Sequence, residues 1–331
     1  MDMKNNKYFL LLLFTVILSP SCKDNYWVKM SKMGIPDGIN VSIIGVCGED
    51  TIYVGGPTRE RSDGLTFYYT TDKGRNWRKG ASIPDGLFFS ESSDVLVDDG
   101  LCWGEIHTEP LGGERYLFRY DARLDTIQIS SFKDKSLTPA FYSDGEVYFT
   151  IRNNKEKMLA RIHQDLSGFG YICKTRSDFK RIIPSPDSFF YTDYLDNLYV
   201  GELSSVDLGD IKAEDALFAT DSSCLFSGYK YDDEDKVLLC EYHTKTATCN
   251  IISSFEDFDY IDPVLIDGDN MVLIGKHIGK LFLSENLLIS PDRGKTWRVK
   301  KMPLSGPQRY LYGKTLYVDG LTSIDIYHLN F

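Results

Sequence analysis

Along most of the chain, apolar residues come in short runs broken by clusters of Asp, Asn, Gly and Ser, the punctuation of strands joined by tight turns. Residues 65–69, 287–289, 310–312, 316–318 and 324–329 are such runs. Residues 117–129, 158–172 and 237–251 each read as strand, turn and strand. No stretch carries the apolar spacing of a long amphipathic helix. The pattern predicts an all-β chain.

Two octads repeat one arrangement, Ser/Thr-x-Asp-x-Gly-x-x-Trp. They are Thr70-Thr71-Asp72-Lys73-Gly74-Arg75-Asn76-Trp77 and Ser290-Pro291-Asp292-Arg293-Gly294-Lys295-Thr296-Trp297. Each follows a strand-like run and predicts a hairpin turn. The hydroxyl and carboxylate oxygens accept backbone N–H groups, the Gly supplies a positive φ, and the Trp anchors the next strand. Ile83-Pro84 follows Trp77, Met302-Pro303 follows Trp297, and Ile35-Pro36 follows Trp27. Trp27 therefore predicts the outermost strand of a sheet whose first strands are missing upstream. Residues 310–329 supply such strands at the other end of the chain, and they stop where an octad would come. The expected closure is an N-terminal strand completing the last sheet.

A second repeat, a turn pair followed by a β-rich run, starts at Asp50, Asp99, Asp144, Asp196, Asp221, Asp269 and Gly313. The intervals are 49, 45, 52, 25, 48 and 44 residues, against roughly 40–50 for a four-stranded propeller blade. The interval of 25 predicts either a reduced blade or one false start. The expected architecture is a β-propeller of four-stranded antiparallel blades over residues 27–331, seven blades with six as the alternative.

The octads resemble the Asp-box (BNR) repeat of sialidases, sortilin-type receptors and photosystem II assembly-factor propellers. The resemblance implies a propeller fold, with the octads as structural turns away from any active centre. For sialidases it further implies three arginines that hold a carboxylate, a Tyr–Glu nucleophile pair and an Asp acid/base. The first of those arginines lies in a Phe/Tyr-Arg-Ile-Pro motif ahead of the first Asp-box. Here that stretch reads Met33-Gly34-Ile35-Pro36, and Gly cannot replace a bidentate guanidinium. Phe179-Lys180-Arg181-Ile182-Ile183-Pro184 is similar but carries extra residues and sits mid-ring. The expectation leans away from catalysis, with a divergent sialidase-like glycoside hydrolase as the alternative.

The N-terminus reads as a targeting segment. Lys4 and Lys7 precede an apolar run over residues 8–18, followed by Ser19-Pro20-Ser21-Cys22. This is the layout of a secretory signal over residues 1–21, too short for a membrane-spanning helix. A small residue before a Cys resembles the processing site of bacterial lipoproteins, with Ser19 where a Leu is usual. That resemblance implies lipidation at Cys22, a tether over residues 22–26 and a location in the outer membrane. Lys23-Asp24 resembles the short charged export signal of Bacteroidota lipoproteins, which implies display at the cell surface.

Charge and composition narrow the partners. The formal net charge is −11, and removing residues 1–21 takes away Asp2, Lys4 and Lys7 to leave −12. Such a surface argues against nucleic acid and against a peripheral helix on anionic lipid. Contact with a membrane is expected through the lipid anchor only, and the chain is expected to be a monomer. Twenty-one Tyr, 19 Phe and 4 Trp suit packing between blades, and exposed ones suit protein or sugar interfaces.

No cofactor or metal is expected. The six Cys after Cys22 form no CxxC pair, and the five His show no HxH or HxxxH spacing. No nucleophile elbow, P-loop or dinucleotide fingerprint occurs. Asp232-Asp233-Glu234-Asp235 reads as a solvated turn, and Asp257, Asp259, Asp262, Asp267 and Asp269 as dispersed carboxylates rather than a cation site. A two-residue turn at Thr244-Lys245 would set Cys240 opposite Cys249, close enough for a disulfide. Arg59, Glu60 and Arg61, after Gly55-Gly56-Pro57, form a candidate binding loop. The reading is a non-catalytic envelope lipoprotein, a propeller that binds a protein or glycan. The alternatives are the divergent hydrolase and a toxin-blocking or immunity-type protein.

Overall fold

A computed structural model describes residues 27–36, 41–56, 64–89, 95–109, 112–132, 136–152, 157–175, 179–186, 188–201, 204–279, 283–302, 309–320 and 322–329. Seven antiparallel sheets follow one another, and no helix occurs among these residues. They are the blades of a β-propeller: residues 42–82, 88–131, 136–175, 179–205, 211–255, 260–301, and last 309–328 joined by 27–31. The first strands of successive blades touch, the seventh blade's first strand meets the first blade's, and Arg309 pairs with Asp262 across the sixth and seventh. The first strands therefore line the ring axis, and the fourth lie outermost.

The N-terminal strand closes the ring as expected. Trp27–Ser31 pairs antiparallel with Ser323–His328, Trp27 opposite Tyr327 and Ser31 opposite Ser323. At its end, buried Lys32 donates to Val41 O at 2.6 Å and Gly320 O at 2.8 Å, and pairs with the Asp319 carboxylate. Asp319 also accepts from Ser42 and from the Ile43 N–H, so first, last and N-terminal strands share one polar knot.

Both octads form the same turn between the third and fourth strands of their blades. The Gly74 N–H donates to Thr70 Oγ1 at 2.9 Å and the Asn76 N–H to Asp72 Oδ1 at 2.9 Å. The Gly294 N–H donates to Ser290 Oγ at 2.7 Å and the Thr296 N–H to Asp292 Oδ1 at 2.9 Å. Donors from Asn76 hold the Asp72 carboxyl at about 2, below its ordinary range, and donors from Thr296 lower Asp292 in the same way. Each turn also clamps the preceding blade. Trp77 Nε1 donates to Ser31 O at 3.0 Å, and Trp297 Nε1 to Ser253 Oγ at 3.0 Å. Gly74 has φ 77° and Gly294 has φ 81°, and a Cβ would stand 2.2 Å from Met30 Cγ or 2.7 Å from Ile252 Cγ2. Only Gly allows both the turn and the close approach.

Each junction between neighbouring blades holds one apolar cluster, and the large buried aromatic residues pack there. Phe67 stacks on Tyr120 at 3.8 Å between the first and second blades, and Trp103 on Tyr142 at 5.2 Å between the second and third. Among the described residues, six junctions hold nine to twelve buried hydrophobic residues. The junction of the third and fourth blades holds five, Phe141, Leu159, Ile182, Phe189 and Tyr191, with partly buried hydrophobic residues such as Tyr148 and Ile172 packed against them.

The short interval is explained, and one expected turn needs correction. Six of the seven repeat starts lead into the second strand of a blade, but Asp196 precedes the third strand, Leu198–Val200, of the fourth. That blade is also compact, with outer strands of three and two residues, so both explanations of the short interval contribute. The second blade's first strand is in two pieces, Phe88–Phe89 and Val95–Asp98, paired along one edge. The hairpin after His243 turns through four residues, Thr244 to Ala247, with Ala247 at φ 52°. Cys249 therefore faces Tyr242 and Cys240 faces Ile251, with a bulge before Cys240; the two thiols still meet diagonally in a side-chain hydrogen bond, and the six described cysteines are free thiols.

The buried knot generates a stability test. Lys32→Met leaves the Asp319 carboxylate without its cation and should cost about 3–5 kcal/mol in urea unfolding. Adding Asp319→Asn, which keeps an acceptor for Ile43 N–H, should return more than half of that loss. Equal instability of the single and double variants would show that the ion pair is not what the closure uses.

Candidate functional site

Ionisable side chains gather where the first strands of the fourth to seventh blades approach the axis. The pairing register in Phe179–Ser185 shifts at Lys180, and in Ile211–Ala219 it shifts at Glu214. A bulge turns the extra residue out of the ladder and re-aims it. Lys180 and Glu214, on adjacent first strands, come within 3.9 Å, and Lys180 also lies 3.5 Å from Asp196. Asp196 accepts from the Tyr229 hydroxyl at 2.8 Å. Burial, then that bond, push the Tyr229 hydroxyl up to about 12.

The arc continues through the sixth and seventh blades. Asp262 pairs with Lys276 and lies 3.7 Å from Arg309, whose guanidinium also grips buried Glu285. Burial raises Asp215, opposed chiefly by Arg181 and Lys180. Glu214 responds most. Burial pushes it up to about 7; Lys180 opposes that shift, while Asp215, Asp196 and Asp262 add to it. The arrangement supplies one carboxyl that changes protonation near neutrality, beside an ammonium, with Lys276, Asp262, Arg309 and Glu285 joined in ion pairs further along the arc.

A separate cavity of about 570 Å³ lies between the third and fourth blades, lined by Phe141, Tyr148, Arg161, Tyr171, Ser188 and Phe189 among others. It opens beside the turns that follow each blade's first strand, on the face that carries the octads. The cavity and the titrating carboxyl are therefore in different places.

The residues singled out in the sequence are scattered over this frame. Thr70, Asp72, Gly74 and Trp77 lie on the first blade, and Ser290, Asp292, Gly294 and Trp297 on the sixth. Arg59, Glu60, Arg61 and Cys22 lie outside the described residues. Asp233 of the acidic run pairs with Lys236 at 3.0 Å, and Asp259 with His277 at 3.1 Å. Among the described residues no group of three His, Cys, Asp or Glu could hold a metal ion. His163 and His243 end equivalent third strands and lie near Asp165 and Glu241. Phe179–Ser185, which resembles the arginine motif, is the fourth blade's first strand and supplies Lys180 and Arg181 to the arc. Glu214-Asp215 was missed. Its signal is a charged pair before an apolar run, mirrored in Lys180-Arg181 one blade earlier.

No protein-family model matches the sequence, and no curated protein matches it. Solved structures match in fold. An oligogalacturonate lyase in complex with manganese superposes with a TM-score of 0.59 at 11% identity, over 93% of this chain and 96% of its own. An oligogalacturonate lyase from Vibrio parahaemolyticus gives 0.55 at 9% identity, over 93% and 98%. An uncharacterized protein from Listeria monocytogenes EGD-e gives 0.55 at 10%, over 86% and 91%.

The raised carboxyl generates a pH prediction. Glu214 holds its proton more tightly when folded, so its contribution to stability is present below its ordinary value near 4.5 and is lost as pH rises through about 7. Glu214→Gln should stabilise the fold by about 1–3 kcal/mol at pH 8 and change it little at pH 4.5. Urea unfolding at the two pH values checks this, and an equal effect at both would contradict it.

Proposed function

We propose that this chain is a non-catalytic envelope lipoprotein, exported by residues 1–21, tethered through Cys22, and built to bind a protein or glycan. The observation that carries the non-catalytic reading is that three of the axial cations are already held by protein carboxylates. Arg309 is engaged by Glu285 and Asp262, Lys276 by Asp262, and Lys180 by Asp196 and Glu214. A guanidinium already gripped by protein carboxylates is poorly placed to clamp a substrate carboxylate. The octads are Asp-box turns on this reading, and their bonds serve the fold alone. Residues 23–26 separate Cys22 from the closing strand, a reach of about 15 Å. That strand starts on the octad face, so this face would lie towards the membrane and the charged arc away from it.

A second reading is favoured by Glu214. A carboxyl at about 7 beside Asp215 is a general-acid candidate for a divergent glycoside hydrolase.

The anchor and the activity are tested separately. Cys22→Ser should move the protein from the membrane fraction to the soluble exported fraction, and unchanged membrane retention would contradict the tether. The full chain in detergent, incubated with glycans that include sialosides, should bind selectively without releasing sugar. Hydrolysis that falls about 100-fold or more in Glu214→Gln would establish the second reading instead.

A further inference from the structure

We propose that the cleft between the third and fourth blades binds a short neutral oligosaccharide. The inference deepens the binding-module reading and rests on it. The cleft exists because the fourth blade is cut short. Its outer strands, Leu198–Val200 and Ser204–Ser205, have three and two residues, whereas those of the third blade, Lys157–His163 and Gly170–Thr175, have seven and six. The outer flank of the third blade is left partly uncovered, and among the described residues this junction holds only five buried hydrophobic residues. What should be apolar filling becomes an open space of about 570 Å³, within the roughly 300–1,000 Å³ of small-ligand sites.

The walls specify the ligand. Tyr148 stacks on Phe141 with centroids 4.3 Å apart, and Tyr171 stands edge-on to Phe169 at 5.3 Å with 54% of its surface exposed. These rings offer rigid apolar surface with polar tips. Arg161 pairs with Glu146 at 2.7 Å and also reaches the Tyr148 hydroxyl. Asp144 and the hydroxyls of Ser143 and Ser188 complete the rim. A pyranose ring matches this set, with an apolar C–H face for an aromatic ring and hydroxyls that both donate and accept. Two carboxylates against one guanidinium disfavour an acidic sugar, as does the net charge of −11. An extended peptide fits less well. Pro184 and Pro186 on the fourth-blade wall carry no N–H to pair with a peptide backbone.

The full chain in detergent is screened against neutral gluco-, manno-, galacto- and xylo-oligosaccharides, and hits are titrated by calorimetry. At least one series should bind. Tyr171→Ala and Arg161→Gln should each weaken it about tenfold or more, and Ser188→Trp should abolish it by filling the cleft. All three positions are exposed, and circular dichroism confirms that each variant folds. Binding that none of the three variants changes would place the sugar elsewhere and overturn the cleft, while the binding-module reading stands. Binding of only acidic glycans, or of a defined protein partner, would do the same. No ligand of any kind would sink both.

Discussion

Seven sheets wrapped about an axis leave two raw edges unless the chain's ends meet, and here they meet through five register pairs between residues 27–31 and 323–327. Without that strand, Ser323–His328 would present an unpaired ladder to solvent. The same short strand is used three more ways. Its Ser31 carbonyl takes the Trp77 indole, its Met30 fills the space under Gly74, and the following Lys32 ties Asp319, Val41 and Gly320 together. Each element that these contacts reach lies in the first or last blade. The closure therefore sets the circumference, and the circumference sets how far apart the first strands stand along the axis.

Much of this frame was legible because it is local and repeated. The bonds that make an octad's turn run within seven residues, so Thr70, Asp72 and Gly74 declare it by themselves, and only the Trp77 bond reaches another blade. The closure was legible by subtraction, since Trp27 begins an outer strand with no inner strands before it. Register was harder. A turn at residues 244–247 and one at Thr244-Lys245 satisfy the same composition, and the difference changes the residue opposite Cys249 from Cys240 to Tyr242, which leaves the two thiols diagonal. The Asp196 turn misled for a similar reason. A turn pair before an apolar run looks alike whether it precedes the second strand of a blade or the third.

The sites were less legible because neither is contiguous in sequence. Lys180, Glu214, Asp262 and Arg309 come from four consecutive blades, and only the packing of those blades around the axis brings their charges within reach of one another. The cleft has no motif at all. It is produced by residues that are absent from the outer half of the fourth blade, and the single trace is the interval of 25 residues. A shortfall in one repeat of a ring exposes the flank of its neighbour, and Tyr148, Arg161 and Tyr171 were in position on that flank.

Native-state hydrogen exchange followed strand by strand is the most direct test of the closure. If the N-terminal strand holds the ring, amides of residues 28–31 exchange only through the opening that also releases the buried second strands, such as Ile52–Gly56 and Thr315–Asp319. Their free energies of exchange then coincide within about 1 kcal/mol and fall together as denaturant is added. Fast, independent exchange of residues 28–31 while the other strands stay protected would contradict the account, because the ring would then persist with its closing strand undone.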